Sequence, residues 1–113
     1  MPSKVLNLSL TFKNFQGRTI VKGEVLEEDI KKQQEPLTLK DLLCILLGNK
    51  TAHGKEATMV WSLGRRIWEA KKEFEVNDED FGFLKKVTEE NSNNIFRAIV
   101  IGQVLEYFDS LHR

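Results

Sequence analysis

The sequence predicts an α+β domain, mainly helical, in which an N-terminal β-hairpin is followed by about four α-helices. Leu6, Leu8, Leu10 and Phe12 alternate with polar residues, the period of a strand with one buried face. From Thr38 onward the apolar residues recur at steps of three and four, the period of helices. Size agrees with one domain, since 113 residues can remove roughly two-thirds of their unfolded surface from water without staples. The expected parts are the hairpin (1–26), a polar connector (27–37) and a helical part (38–113).

In the hairpin, Asn14, Phe15, Gln16 and Gly17 supply the turn. Gly17 is suited to the positive φ that hairpin loops require. A second, shorter strand follows over 18–22, with an extension over 24–26. Residues 27–35 are almost wholly polar and read as a solvated connector with at most one helical turn. Pro36 ends it, because the residue before proline is pushed out of the α region.

The first helix starts at Thr38, an N-cap with Asp41 three residues on, and stops near Gly48 and Asn49. Its interior is apolar on every side, so it must be enclosed or covered by a second subunit. Residues 50–55 form a loop carrying His53.

A central helix is expected over 57–74. Val60, Leu63, Ile67, Ala70 and Phe74 form one stripe, and Ala57, Trp61, Gly64 and Trp68 a second. Together they span an apolar arc of roughly 200°, about twice what one core contact needs. Gly64 costs about 1 kcal/mol relative to alanine in a helix, which suggests close approach by another helix or room for the Trp68 ring. Arg65, Arg66, Lys71 and Lys72 form a basic face, with Glu69 and Glu73 spaced for intrahelical ion pairs.

Asn77 caps a third helix that runs to about Glu90, with Phe81, Leu84 and Thr88 inward and Phe83 and Val87 beside them. Residues 91–94 break the chain before a last helix over 95–111. Its apolar residues surround almost the whole circumference, more than a terminal helix in so small a domain can hide, and surplus apolar surface marks an interface. The expectation is that Trp61, Gly64 and Trp68 pack on this helix. Phe96, Val100, Tyr107 and Leu111 are then left for a partner, with Gly102 as a second close-approach point.

Charge and chemistry narrow the function. Seventeen basic residues balance seventeen acidic ones, which argues against a chain devoted to nucleic acid, although Arg65, Arg66, Lys71 and Lys72 remain a possible local contact. The single cysteine, Cys44, lies in an apolar run and reads as a small buried hydrophobe in a reducing compartment. No signal-peptide core or run of membrane-spanning length is present, so a cytoplasmic protein is expected. Cys44, His53 and His112 offer no ligand spacing for a metal, residues 77–80 lack the alternation and glycine of a calcium loop, and no phosphate-loop glycines occur. Neither histidine has a nucleophile or acid partner. No cofactor is implied, and a non-enzyme is expected.

The words ThrLeuLysAspLeuLeu, LysLysGluPheGluVal, AsnAspGluAspPhe, PheLeuLysLysVal and ValLeuGluTyrPhe, in this order after an alternating strand, resemble small open reading frames of tailed bacteriophages and prophages. The resemblance implies a small accessory product of a bacterial host's cytoplasm and supplies no catalytic residues. The expected function is a self-associating protein–protein interaction protein, with a phage or host protein as another possible partner. The alternative is a small nucleic-acid-binding regulator using the basic face.

Overall fold

The structure, a computed structural model, describes residues 3–24, 31–91 and 95–111. It is α+β and mainly helical, with a two-stranded antiparallel sheet and four α-helices. The strand extension at 25–26, the connector at 27–30, the helix break at 92–94 and His112 lie outside the described residues.

Strand β1 (Ser3–Asn7) pairs with β2 (Glu73–Asn77), Leu6 opposite Phe74 and Asn7 opposite Glu73. The regular sheet thus joins the N-terminus to the middle of the chain and not to residues 18–22. The cause is local. Asn7 Oδ1 accepts from the Ser9 N–H at 3.0 Å and its carbonyl from the Leu10 N–H at 3.2 Å, which turns the strand. The chain still doubles back as expected between Phe12 and Ile20, where the Ile20 N–H donates to the Phe12 carbonyl at 2.8 Å and Gly17 takes φ 82°. There it forms isolated bridges, Lys13 with Thr19 and, further on, Val21 with Pro36. Lys22–Glu24 form a short 3-10 turn. Leu6, Leu8 and Phe12 are buried and Leu10 is half-buried, so the alternation does report the inward face.

Helix α1 (Leu39–Gly48) begins and ends where its signals lie. Thr38 and Asp41 form a reciprocal capping box. The carbonyls of Leu10 and Leu8 accept from the N–H groups of Leu39 (2.8 Å) and Lys40 (3.2 Å), so the N-terminal segment satisfies two more of the donors that a helix start leaves open. Five leucines of α1 are buried, which explains its apolar interior without a second subunit.

Helix α2 (Lys55–Glu69) packs on α1 through Leu63 and Ile67. It is shorter than the sequence predicts. Ala70 is already extended, with ψ 149°, and Phe74 belongs to β2. Phe74 fits both a helical stripe with Ala70 and a strand alternation with Val76; pairing with β1 decides for the strand. Lys40 Nζ closes the end of α2 by donating to the Ala70 carbonyl at 2.6 Å.

Helix α3 (Asp78–Glu90) starts at the Asn77 cap, whose side chain accepts from the Asp80 N–H at 2.8 Å, and buries Phe81, Leu84, Val87 and Thr88. The Thr88 hydroxyl donates to the Leu84 carbonyl at 2.8 Å, which makes its burial tolerable. Helix α4 (Ala98–Ser110) packs on α3, where Phe81 and Phe108 meet edge to face at 5.3 Å.

Candidate functional site

The last helix does not carry the free surface that its composition suggests. Phe96 and Val100 are each 4% exposed and belong to the chain's own core. Tyr107 and Leu111 are half-buried against it. The N-terminal segment does the covering. The Asn7 N–H donates to Tyr107 Oη at 2.8 Å. The Gln103 amide pairs with both backbone groups of Lys13, accepting from its N–H at 3.0 Å and donating to its carbonyl at 2.7 Å. A Cβ at Gly102 would meet nothing within 4 Å, so no other element of this chain approaches it closely.

The surplus lies on α2 instead. Among the described residues the exposed large hydrophobics are Val5, Phe15, Trp61 at 69% and Trp68 at 64%. The expected packing of the tryptophans on the last helix is therefore corrected: α2 lies on α1, and both indoles stand at the solvent edge of that contact. Helix spacing produces this. Leu63 and Ile67 point at α1, and Trp61 and Trp68, seven residues apart, share a line about a quarter-turn or more away from them.

Between the indoles lies an apolar groove of about 320 Å³, floored by Cys44, Leu47 and Gly48 of α1 and by Val60 and Gly64 of α2, with Arg65 on its rim. A second cavity of about 410 Å³ shares Cys44 and Trp68 with it and continues toward Lys22, Lys32 and Asp41. Lys40 Nζ sits 5.4 Å from the Trp68 ring, a cation on the indole face that fixes one wall. The Cys44 thiol is half-buried, and burial, then the Asp41 carboxylate, raises its pKa, with Lys40 opposing. That environment holds the sulfur as a neutral thiol and disfavours a nucleophilic role.

The four basic residues do not form one helix face. Arg65 lies 4.0 Å from Glu69, whereas Arg66 reaches across to Asp80 on α3 at 3.1 Å and covers the Phe74 ring at 5.7 Å. Lys71 and Lys72 lie beyond the end of α2, exposed in the connector to β2, and the Lys72 carbonyl accepts from the Leu8 N–H at 2.7 Å. His53 is exposed on the loop before α2, where Gly54 at φ 60° opens the helix. In that region the organised chemistry is an ion-pair node: Lys50 Nζ contacts Glu56 at 3.0 Å and Glu90 at 3.1 Å. Both bonds raise the Lys50 pKa, and Lys50 lowers that of Glu56.

Among the described residues no group of three or more His, Cys, Asp or Glu is placed to hold a metal ion, and no helix is long and apolar enough to cross a membrane. Compared with family models, curated proteins and solved structures, the chain matches none. The arrangement on α1 and α2 offers apolar recognition with a cationic rim.

Proposed function

We propose that this chain is a non-enzymatic protein–protein interaction protein that self-associates, and that its contact face is the groove between α1 and α2. The carrying observation is the exposure of Trp61 and Trp68, at 69% and 64%, as paired walls of one apolar groove. Exposed aromatic anchors around a pocket are the groups that dominate interface energetics, and a soluble domain rarely leaves such a patch uncovered without use. The resemblance of its short sequence words to phage and prophage reading frames supports an accessory role in a bacterial host's cytoplasm. A photo-reactive benzoylphenylalanine at position 65, compared with one at the exposed Glu79 of α3, tests the reading in expressing bacteria. Protein adducts that depend on position 65 are expected; equal or absent labelling at the two positions would sink it.

A second reading, single-stranded nucleic acid, draws on the alternation Trp61, Arg65, Trp68, since bases stack on indoles and a cation between them meets phosphate. The tie of Arg66 to Asp80 and the balanced charge of the chain weigh against it. It requires binding that weakens steeply with salt and is lost when Arg65 and Arg66 become alanine. No mobility shift of a labelled oligonucleotide at low salt removes it.

A further inference from the structure

We infer that the groove between α1 and α2 is a binding site for a small amphiphile, a medium-chain fatty acid whose hydrocarbon lies between the indoles and whose carboxylate lies near Lys32. The inference goes beyond the interaction reading above and does not depend on it; a protein and the acid would compete for the same surface.

The two cavities beside α1 make one elongated site. They share Cys44 and Trp68, and along α1 they run from Gly48 past Cys44 to Asp41. Those three residues follow one another at steps of four and three, so they form one stripe of the helix, roughly 10.5 Å long at 1.5 Å per residue. Volumes of about 320 and 410 Å³ are those of small-molecule sites, which are mainly apolar with a few placed polar groups.

The site is polarised along that stripe. At the Gly48 end the lining is Leu47, Val60 and the two indoles, with no hydroxyl, amide or carboxylate, which suits a hydrocarbon body and not a sugar or a nucleobase. At the Asp41 end Lys22 and Lys32 enter the lining, and Lys40 stands over the Trp68 ring at 5.4 Å. The chain does not balance the charge there. Asp41 is committed, since its Oδ2 accepts from the Thr38 N–H at 3.2 Å and from the Thr38 hydroxyl at 2.8 Å, with Lys22 at 3.7 Å. Lys22 is held in turn by Glu35 at 2.9 Å. Lys32 is exposed, and among the described residues neither it nor Lys40 has a carboxylate within ion-pair distance. Two ammonium groups without a counter-charge at one end of an apolar groove complement a ligand with an apolar body and an anionic end. Arg65, on the rim of the other end, already faces Glu69 at 4.0 Å. Burial keeps the Cys44 thiol neutral, so no negative charge stands between the two ends.

Decanoate below its micelle concentration is the probe, read by isothermal titration calorimetry and by the emission of the chain's two tryptophans, which both wall the groove. Saturable one-to-one binding is expected, with emission moving to shorter wavelength. Decanol should bind more weakly than decanoate, and decylamine more weakly still, because its ammonium would meet those of Lys32 and Lys40. Gly64→Leu places hydrocarbon in the groove and should weaken decanoate about tenfold, as if two or so methylenes were denied burial. Trp61→Ala removes a wall at an exposed position and should weaken it similarly, read by calorimetry. Lys32→Glu should weaken decanoate severalfold and leave decanol unchanged. All three variants should keep the helical circular dichroism of the parent. No saturable binding at millimolar decanoate overturns the inference. So does equal affinity for decanoate and decylamine, full affinity in Lys32→Glu, or an affinity that survives both Gly64→Leu and Trp61→Ala, since the acid would then enter elsewhere. Decanoate binding without protein adducts at position 65 removes the interaction reading alone; adducts there without decanoate binding remove this inference alone.

Discussion

At the scale of single residues, polar side chains that replace backbone partners do much of the organising. Gln103 is the clearest case, because its amide reproduces a strand's two hydrogen bonds and holds Lys13 to α4. Gln103→Leu keeps much of the volume but leaves both Lys13 backbone groups without that partner, so a loss of about 1–3 kcal/mol in urea unfolding is expected. An unchanged midpoint would show that water replaces the amide at no cost. Thr38 caps α1 within a reciprocal box, and Thr38→Ala should cost about 1 kcal/mol by the same measurement. These two residues differ in how far the sequence reveals them. Thr38 and Asp41 announce their role by spacing alone, whereas the role of Gln103 depends on a segment 90 residues away. In sequence it is merely an interruption of an apolar helix.

Between elements, the legible features were those that a helix carries within itself. The start and stop of α1, the Asn77 cap of α3 and the inward set Phe81, Leu84 and Thr88 follow from caps and periodicity. What could not be read was which elements meet. Phe74 satisfies two periods at once, and the choice between them comes from β1 at the far end of the chain. The same limit misplaced the free surface: α4 and α2 both carry wide apolar arcs, and only the wrapping of the N-terminal segment shows that α4 is covered. Lys50 is another such junction, joining the loop after α1 to the starts and ends of α2 and α3 through Glu56 and Glu90. Its linkage has a defined sign. The Glu56 pKa is lowered from 4.5, so its contribution is present above that value and is lost as pH falls through the lowered folded value. The Lys50 pKa is raised from 10.5, so its contribution is present below that value and lost as pH climbs through the raised one. Lys50→Met should flatten the fall of stability below pH 4.5, measured as urea midpoint against pH. An acid limb as steep as that of the parent would show that other carboxylates carry it.

For the whole molecule, the arrangement predicts that the hairpin and helical parts recognised in the sequence are not separable units. Residues 3–13 pair with β2, satisfy the first donors of α1 and bind α4 through Tyr107 and Gln103. One short segment therefore touches three elements that otherwise have few reasons to stay in register. Leu8 sits at the crossing: it is 1% exposed, its N–H donates to the Lys72 carbonyl, and its own carbonyl accepts from Lys40. Leu8→Ala leaves those backbone bonds possible and removes only buried side-chain volume, for which about 2–5 kcal/mol is typical. If the chain is one cooperative body, that loss lowers the urea midpoint seen by circular dichroism. It also lowers amide-exchange protection in α2 and α4 by the same free energy, although neither helix contains the substitution. A variant that keeps full protection in α2 while α4 loosens would mean that α1 and α2, with the tryptophan groove between them, stand as a unit apart from the N-terminal wrap. In the cooperative case the groove depends on Leu8 for its stability, even though Leu8 does not line it.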